Sequence, residues 1–181
     1  MKTLAKFSTE EYHQMIESGI LRDRSVELLN GEIWEMAPEK PLHRKVIYFG
    51  VEYLRQILSG KAIIFEAHPI TLQNSEPEPD ITVTQLPISL YDERHPSASD
   101  ILLLIEVSDT TLNKDLQEKK AIYALNQIRE YWIIDLNNHQ LKMFQNPIDG
   151  DYGVKRVLSK GKIFCQAFPN IELNVPRLIK P

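Results

Sequence analysis

The chain has 181 residues, 43% hydrophobic and 25% charged, the balance of one soluble globular domain with enough chain to bury a core. A net charge of −4 weighs against stable nucleic-acid binding, which needs a basic excess to neutralise phosphates, but not against an enzyme that meets DNA briefly through a local basic patch and a divalent cation. Cys165 is the only cysteine, which excludes an intramolecular disulfide and a thiolate zinc cage.

No apolar run is long enough to span a bilayer, so no membrane association is expected. The N-terminal MKTLAKFSTEEYHQ lacks the apolar centre of a secretory signal, and the expected compartment is the cytoplasm.

In chain order, STEEYHQMIESG reads as a first helix, with Ser8 and Glu11 in capping-box spacing and Gly19 as its stop. SVELLNGEIWEM predicts strands at 25–29 and 32–36, joined through Asn30-Gly31, where both positions tolerate positive φ. A longer helix is expected from His43 to Leu58, where Val46, Ile47, Val51, Leu54, Ile57 and Leu58 recur at helical spacing. AIIFEAHPITLQ reads as strand interrupted near Pro69, NSEPEPD as a turn and ITVTQ as a short strand. LPISLYDERHPSASD reads as an irregular loop.

DILLLIEVS is almost wholly aliphatic, which suggests a strand buried on both faces. The next helix is expected from Thr111 or Asn113 to Gln127. EYWIIDL and QLKMFQ form a second hairpin around Asn137-Asn138, and the tail alternates weakly as further strands. The expected architecture over 1–181 is one α/β (α+β) domain, a mixed central β-sheet flanked by helices.

Against that frame of aliphatic residues, Glu106 is anomalous, because a buried carboxylate needs a partner, a metal or a job. Glu27 sits between Val26 and Leu28 and points to the opposite face of its strand. Asp80 opens a strand directly after Pro79. Each alone reads first as an ordinary exposed carboxylate. Together, three converging carboxylates would repel by about 1 kcal/mol per pair at 4 Å in water and about 4 kcal/mol at a surface-like dielectric. A hard divalent ion reverses that sign, takes oxygen ligands and keeps waters.

A lysine beside such an ion could position water or neutralise a phosphoryl group. At 100° per residue, Lys119 and Lys120 flank the Leu112–Leu116–Tyr123 stripe at nearly equal angles. Periodicity leans only slightly to Lys119, and a lysine snorkelling at the helix edge fits as well.

PEPDITV followed by LLLIEVSDTTLNKDLQEKKAIYALNQIREYWIIDL resembles the core of the putative restriction endonuclease domain family, within the PD-(D/E)XK nuclease superfamily. The resemblance runs through Pro79-Asp80, Glu106-Val107-Ser108, Asp115, Lys119, Tyr123-Ala124 and Tyr131-Trp132-Ile133-Asp135. Upstream, VELLNGEIWEMAP with Glu27 and Gly31, and His43 in PLHRKV, are also similar.

The resemblance implies a restriction-endonuclease-like core, Mg²⁺ (with Mn²⁺ as a substitute) held by Asp80 and Glu106, Glu27 as an additional ligand, and Lys119 as the catalytic lysine. Ser108 stands where the superfamily pattern has its lysine, so the amine would come from the following helix.

Accessory roles are open to Asp115, His43 and Ser108. Asp115 is four residues before Lys119 and reads first as a helix brace that steadies the lysine; a structural role for His43 is at least as open. Tyr123 and Trp132 read as core aromatics, and His13, His68, His95 and His139 as incidental. The implied activity is metal-dependent hydrolysis of DNA phosphodiesters, with a C₂ homodimer as the means of cutting both strands. The alternative is an inactive nucleic-acid-binding or regulatory module that keeps the nuclease fold.

Overall fold

A computed structural model describes residues 3–180. Six strands form one mixed sheet in the order β3 (Ile63–Glu66), β4 (Ile81–Thr84), β5 (Ile101–Ser108), β6 (Glu130–Asp135), β7 (Gln140–Ile148) and β8 (Asp151–Leu158). Only β5 and β6 run parallel; every other neighbouring pair is antiparallel. The parallel pair is joined through the helical segment that carries the lysines. That segment consists of α3 (Leu112–Lys114), one wide π turn (Asp115–Lys119) and α4 (Lys120–Leu125).

Strand alternation divides the core between the two faces of the sheet. Leu103, Ile105 and Val107 of β5, with Trp132 and Ile134 of β6, face α2 (Pro41–Ile57) through Val46, Ile47, Val51 and Leu54. The same face is closed by the β9–β10 hairpin (Lys162–Cys165, Phe168–Asn174) and by α5 (Val175–Ile179). Leu104, Tyr131 and Ile133 face the other way, onto Ile122 and Tyr123 of α4. Parity therefore turns Glu106 and Ser108 toward the lysine-bearing segment, away from α2.

Helix α1 (Thr9–Glu17) has the expected cap: Glu11 N–H donates to Ser8 Oγ at 3.2 Å, and Ser8 N–H to Glu11 Oε2 at 2.8 Å. The β1 (Val26–Leu29) and β2 (Glu32–Glu35) hairpin turns at Asn30-Gly31. A Cβ on Gly31 would lie 2.8 Å from Lys6 Cβ, and φ is +81°, so that position requires glycine on two counts. Paired backbone bonds between Leu28 and Glu76 stitch this hairpin to the 71–76 turn, beside the sheet. Val26 and Leu28 pack on Tyr12, which leaves Glu27 pointing the other way.

Four local readings differ from observation. Helix α2 begins at Pro41 rather than His43, because proline lacks the N–H that a first helical position leaves unpaired. β3 stops at Glu66, where Ala67 takes φ +48° and donates its N–H to Asp80 O. The 86–100 loop contains two 3₁₀ turns, Ile88–Tyr91 and Ala98–Asp100. The second is held by the Arg94–Asp100 ion pair at 2.7 Å, which keeps the Asp100 carboxyl at about 2, below its usual range. The tail ends in α5, whose Pro176 falls in its first turn; Arg177 lies 4.1 Å from the Tyr53 ring centroid. Among the described residues, no helix is long and apolar enough to cross a membrane.

Candidate active site

Lys119 is the centre of the site. Its Nζ lies 3.0 Å from Glu106 Oε1 and 3.1 Å from Glu27 Oε2, and all three side chains are buried. The wide turn settles the choice that helical spacing leaves open. Asp115 and Lys119 both turn inward at the π turn, while Lys120 points to the far strands, 2.9 Å from Asp151 and over the Phe144 ring. π turns of this kind recur at functional positions, where they re-aim side chains within a helix.

Tyr123 stands one turn further on and donates its hydroxyl to the same Glu106 oxygen at 2.8 Å. Oε1 of Glu106 is thereby doubly occupied. Among the described residues no hydrogen bond reaches Oε2.

Asp80 lies at the start of β4, next to the C-terminal end of β5. Its Oδ2 accepts the Val107 N–H at 2.6 Å, and His43 Nε2 approaches the same oxygen at 3.4 Å. No hydrogen bond reaches Asp80 Oδ1 among the described residues. The Asp80 side chain is 18% exposed, against 5% for Glu106. One carboxylate is thus open to solvent and the next is dry.

Glu27 reaches this cluster from β1, but both its oxygens are taken. Lys114 Nζ lies 2.5 Å from Oε1, while Lys119 and the Glu78 N–H (3.3 Å) share Oε2. A cation at Glu27 would have only the second acceptor position of Oε1, directly beside the Lys114 ammonium.

Asp115 Oδ2 accepts from Ser108 Oγ at 2.6 Å and from Thr111 Oγ1 at 2.8 Å. Ser108 therefore ties the strand end to the start of the helix, and the pair fixes where Lys119 begins its reach.

The electrostatics follow from burial. Burial alone would lower the Lys119 pKa, but Glu106, Glu27, Asp115 and Asp80 outweigh it, so the ammonium is held charged well above its ordinary range. Burial pushes the Glu106 carboxyl upward by more than Lys119 offsets. For Glu27 the balance is opposite: two ammonium groups overcome burial and lower it. Burial also raises Asp115. For His43, the bond and charge of Asp80 override burial and raise it. Of these acids, Glu106 and Asp115 lie where burial outweighs the nearby positive charge, and Glu27 does not.

Among the described residues, no three His, Cys, Asp or Glu side chains make a closed metal cage. The donor set still fits one kind of ion. Asp80 and Glu106 each keep one oxygen free of protein hydrogen bonds. Two carboxylates suit a hard cation that retains water and draws further oxygens from a substrate.

Two contributors to the site, and a pair of histidines beside it, escape sequence reading. Lys114 braces Glu27 and lies over the Trp34 ring. Tyr123 is fully buried, and its hydroxyl alone distinguishes it from a core aromatic. His13 and His95 converge on Glu76 Oε1, at 2.6 and 3.7 Å, from segments 82 positions apart in sequence. That group floors a cavity of about 840 Å³ whose wall includes Glu78, the residue whose N–H binds Glu27. A second cavity, of about 600 Å³, lies between the β1–β2 hairpin and the lysine-bearing segment.

The family model described as Uma2, putative restriction endonuclease, matches residues 9–176. The chain belongs to that family. Uma2 membership supports a nuclease function for it. A putative nuclease of the DUF820 group from Anabaena variabilis superposes with TM-score 0.73 at 14% identity, covering 96% of this chain and 97% of that one, so the fold is shared along nearly the whole length. Among curated proteins, nothing matches the Uma2 chain.

Proposed function

We propose that this Uma2-family domain is a metal-dependent endodeoxyribonuclease of the PD-(D/E)XK type, a single cytoplasmic domain over 1–181. The observation that carries the reading is the buried Lys119 ammonium 3.0 Å from Glu106, on a strand whose Val107 amide binds Asp80 at 2.6 Å. Asp80 and Glu106 would hold Mg²⁺ or Mn²⁺. When bound, that ion supplies charge for a phosphoryl oxygen and acidifies water.

The chain's own residues supply the rest. Lys119 presents a fixed cation to a phosphate that gains negative charge, at no reorganisation cost when the reaction occurs. Glu27, clamped by Lys114, holds Lys119 jointly with Glu106 and so acts as a positioning residue. Tyr123 and Lys119 together hold Oε1, which leaves Oε2 free of protein hydrogen bonds. Asp115, bonded to Ser108 and Thr111, anchors the wide turn. His43 steadies Asp80. Cleaving both strands takes two such sites, and a C₂ homodimer provides them.

The direct test is nicking of supercoiled plasmid with Mg²⁺, with Mn²⁺ and with EDTA, run beside single-stranded DNA and RNA. Metal-dependent nicks that EDTA abolishes are expected. Intact DNA in every metal, from protein that remains folded, would return the chain to the reading of an inactive module.

Tyr123→Phe tests the orienting hydroxyl separately. It should lower kcat about tenfold or more, the worth of one hydrogen bond to a charged group, and raise the Mg²⁺ concentration for half-maximal rate. A merely structural tyrosine would lower Tm and leave the metal dependence unmoved.

A further inference from the structure

The chain is acidic overall, yet Lys40 to Val51 contains Lys40, His43, Arg44 and Lys45 and no carboxylate. This stretch is the first three turns of α2, with Lys40 as its N-terminal cap residue. At 100° per residue, Arg44, Lys45, Tyr48 and Phe49 fall on the outward arc, opposite Val46, Ile47, Gly50 and Leu54, which are buried.

Tyr48 and Phe49 are 55% and 44% exposed, and their rings meet edge-on at 5.3 Å between centroids. Among the described residues Arg44 and Lys45 enter no ion pair. The N-terminal end of the same helix carries no side-chain cap. It sits at the candidate site, where His43 meets Asp80 and Lys40 pairs with Asp109 at 2.7 Å.

We infer that the outer face of α2 seats an unpaired stretch of nucleic-acid strand, with bases stacked on Tyr48 and Phe49 and phosphates on Arg44 and Lys45. Where it leads the strand rests on the nuclease reading above. Cations interleaved with exposed aromatic rings are the combination that holds single strands without sequence preference, since every base presents a π face.

His43 falls on the buried arc of the helix, so a strand on this face reaches Asp80 by passing round the N-terminal end of α2, about 9 Å of helix rise from Phe49. A second copy of the chain is a poorer occupant. A two-fold contact centred here would set Arg44 and Lys45 against their own duplicates.

The test is fluorescence anisotropy of the full chain with a labelled oligothymidine of about 16 nucleotides, and with a duplex of equal length, in EDTA so that nothing is cut. The single strand should bind more tightly than the duplex. Tyr48→Ala with Phe49→Ala should weaken single-strand binding about tenfold or more. Arg44→Gln with Lys45→Gln should also reduce the salt slope of log K by about 0.7 for each cation removed.

All four side chains are exposed, so circular dichroism should stay unchanged. Unaltered binding in both double variants would overturn the inference. So would sedimentation showing that the aromatic variant splits a dimer, which would make the face a contact between copies. Wild type that binds through these residues yet cuts nothing in any metal would leave this surface standing and sink the catalytic reading instead.

Discussion

Lys119→Met should abolish cleavage and remove about 3–5 kcal/mol of stability, the usual cost of breaking a buried ion pair from one side. Methionine keeps most of the length of lysine but brings no charge. Glu106 would keep only the Tyr123 hydroxyl, and Glu27 would keep only Lys114 and the Glu78 amide. Two buried carboxylates would then face each other with no cation between them.

The pH dependence has a definite sign. Glu106 already holds its proton more tightly folded than unfolded, because burial raises its pKa. Without Lys119 that shift grows. A carboxyl raised on folding gives stability that is present below the unfolded value near 4.3 and is lost as pH rises. Urea melts should therefore show a deficit larger at pH 8 than at pH 5. Adding Glu27→Gln to Lys119→Met should return part of the stability and none of the activity. A variant as stable as wild type at pH 8 would mean that Lys119 does not neutralise this cluster in solution.

The elements that sequence reading places well are those set by local chemistry. The Ser8–Glu11 cap, the Asn30-Gly31 hairpin and the aliphatic β5 each depend on residues within a few positions of one another. The errors lie where distant parts of the chain decide. Ala67 ends β3 by donating to Asp80, and α5 exists because Val175, Leu178 and Ile179 find the α2 face of the sheet.

The site divides the same way. Parity along β1 predicts that Glu27 points away from Val26 and Leu28, and it does, toward Lys119; β5 is aliphatic on both faces, so alternation there does not tell which face Glu106 shares with a cation. The choice between Lys119 and Lys120 was beyond periodicity, because it turns on one extra residue accommodated in the helix between Asp115 and Lys119. An ideal 100° step cannot represent that wide turn. Nor could spacing show that Lys114 would occupy Glu27, or that His13 and His95 would meet at Glu76, since only the folded chain brings those segments together.

Asp80→Asn should separate chemistry from architecture. Asparagine keeps a carbonyl oxygen where Asp80 accepts the Val107 N–H, and keeps the shape of the side chain. What it loses is one partly solvated negative charge. Stability should change by about 1 kcal/mol or less, since the backbone bond survives.

Cleavage should fall by about 10³-fold or more, the order expected when a preorganised electrostatic group at a reacting phosphate is removed. Mn²⁺ binding, followed by calorimetry or electron paramagnetic resonance, should weaken at the same time. The contrast with Lys119→Met is decisive because Lys119 serves both the fold and the reaction, whereas Asp80 stands at the solvent edge and owes the fold little. If Asp80→Asn cut DNA at the wild-type rate while Lys119→Met did not, the lysine effect would be one of folding. The carboxylate pair at the end of β5 would then have no part in hydrolysis.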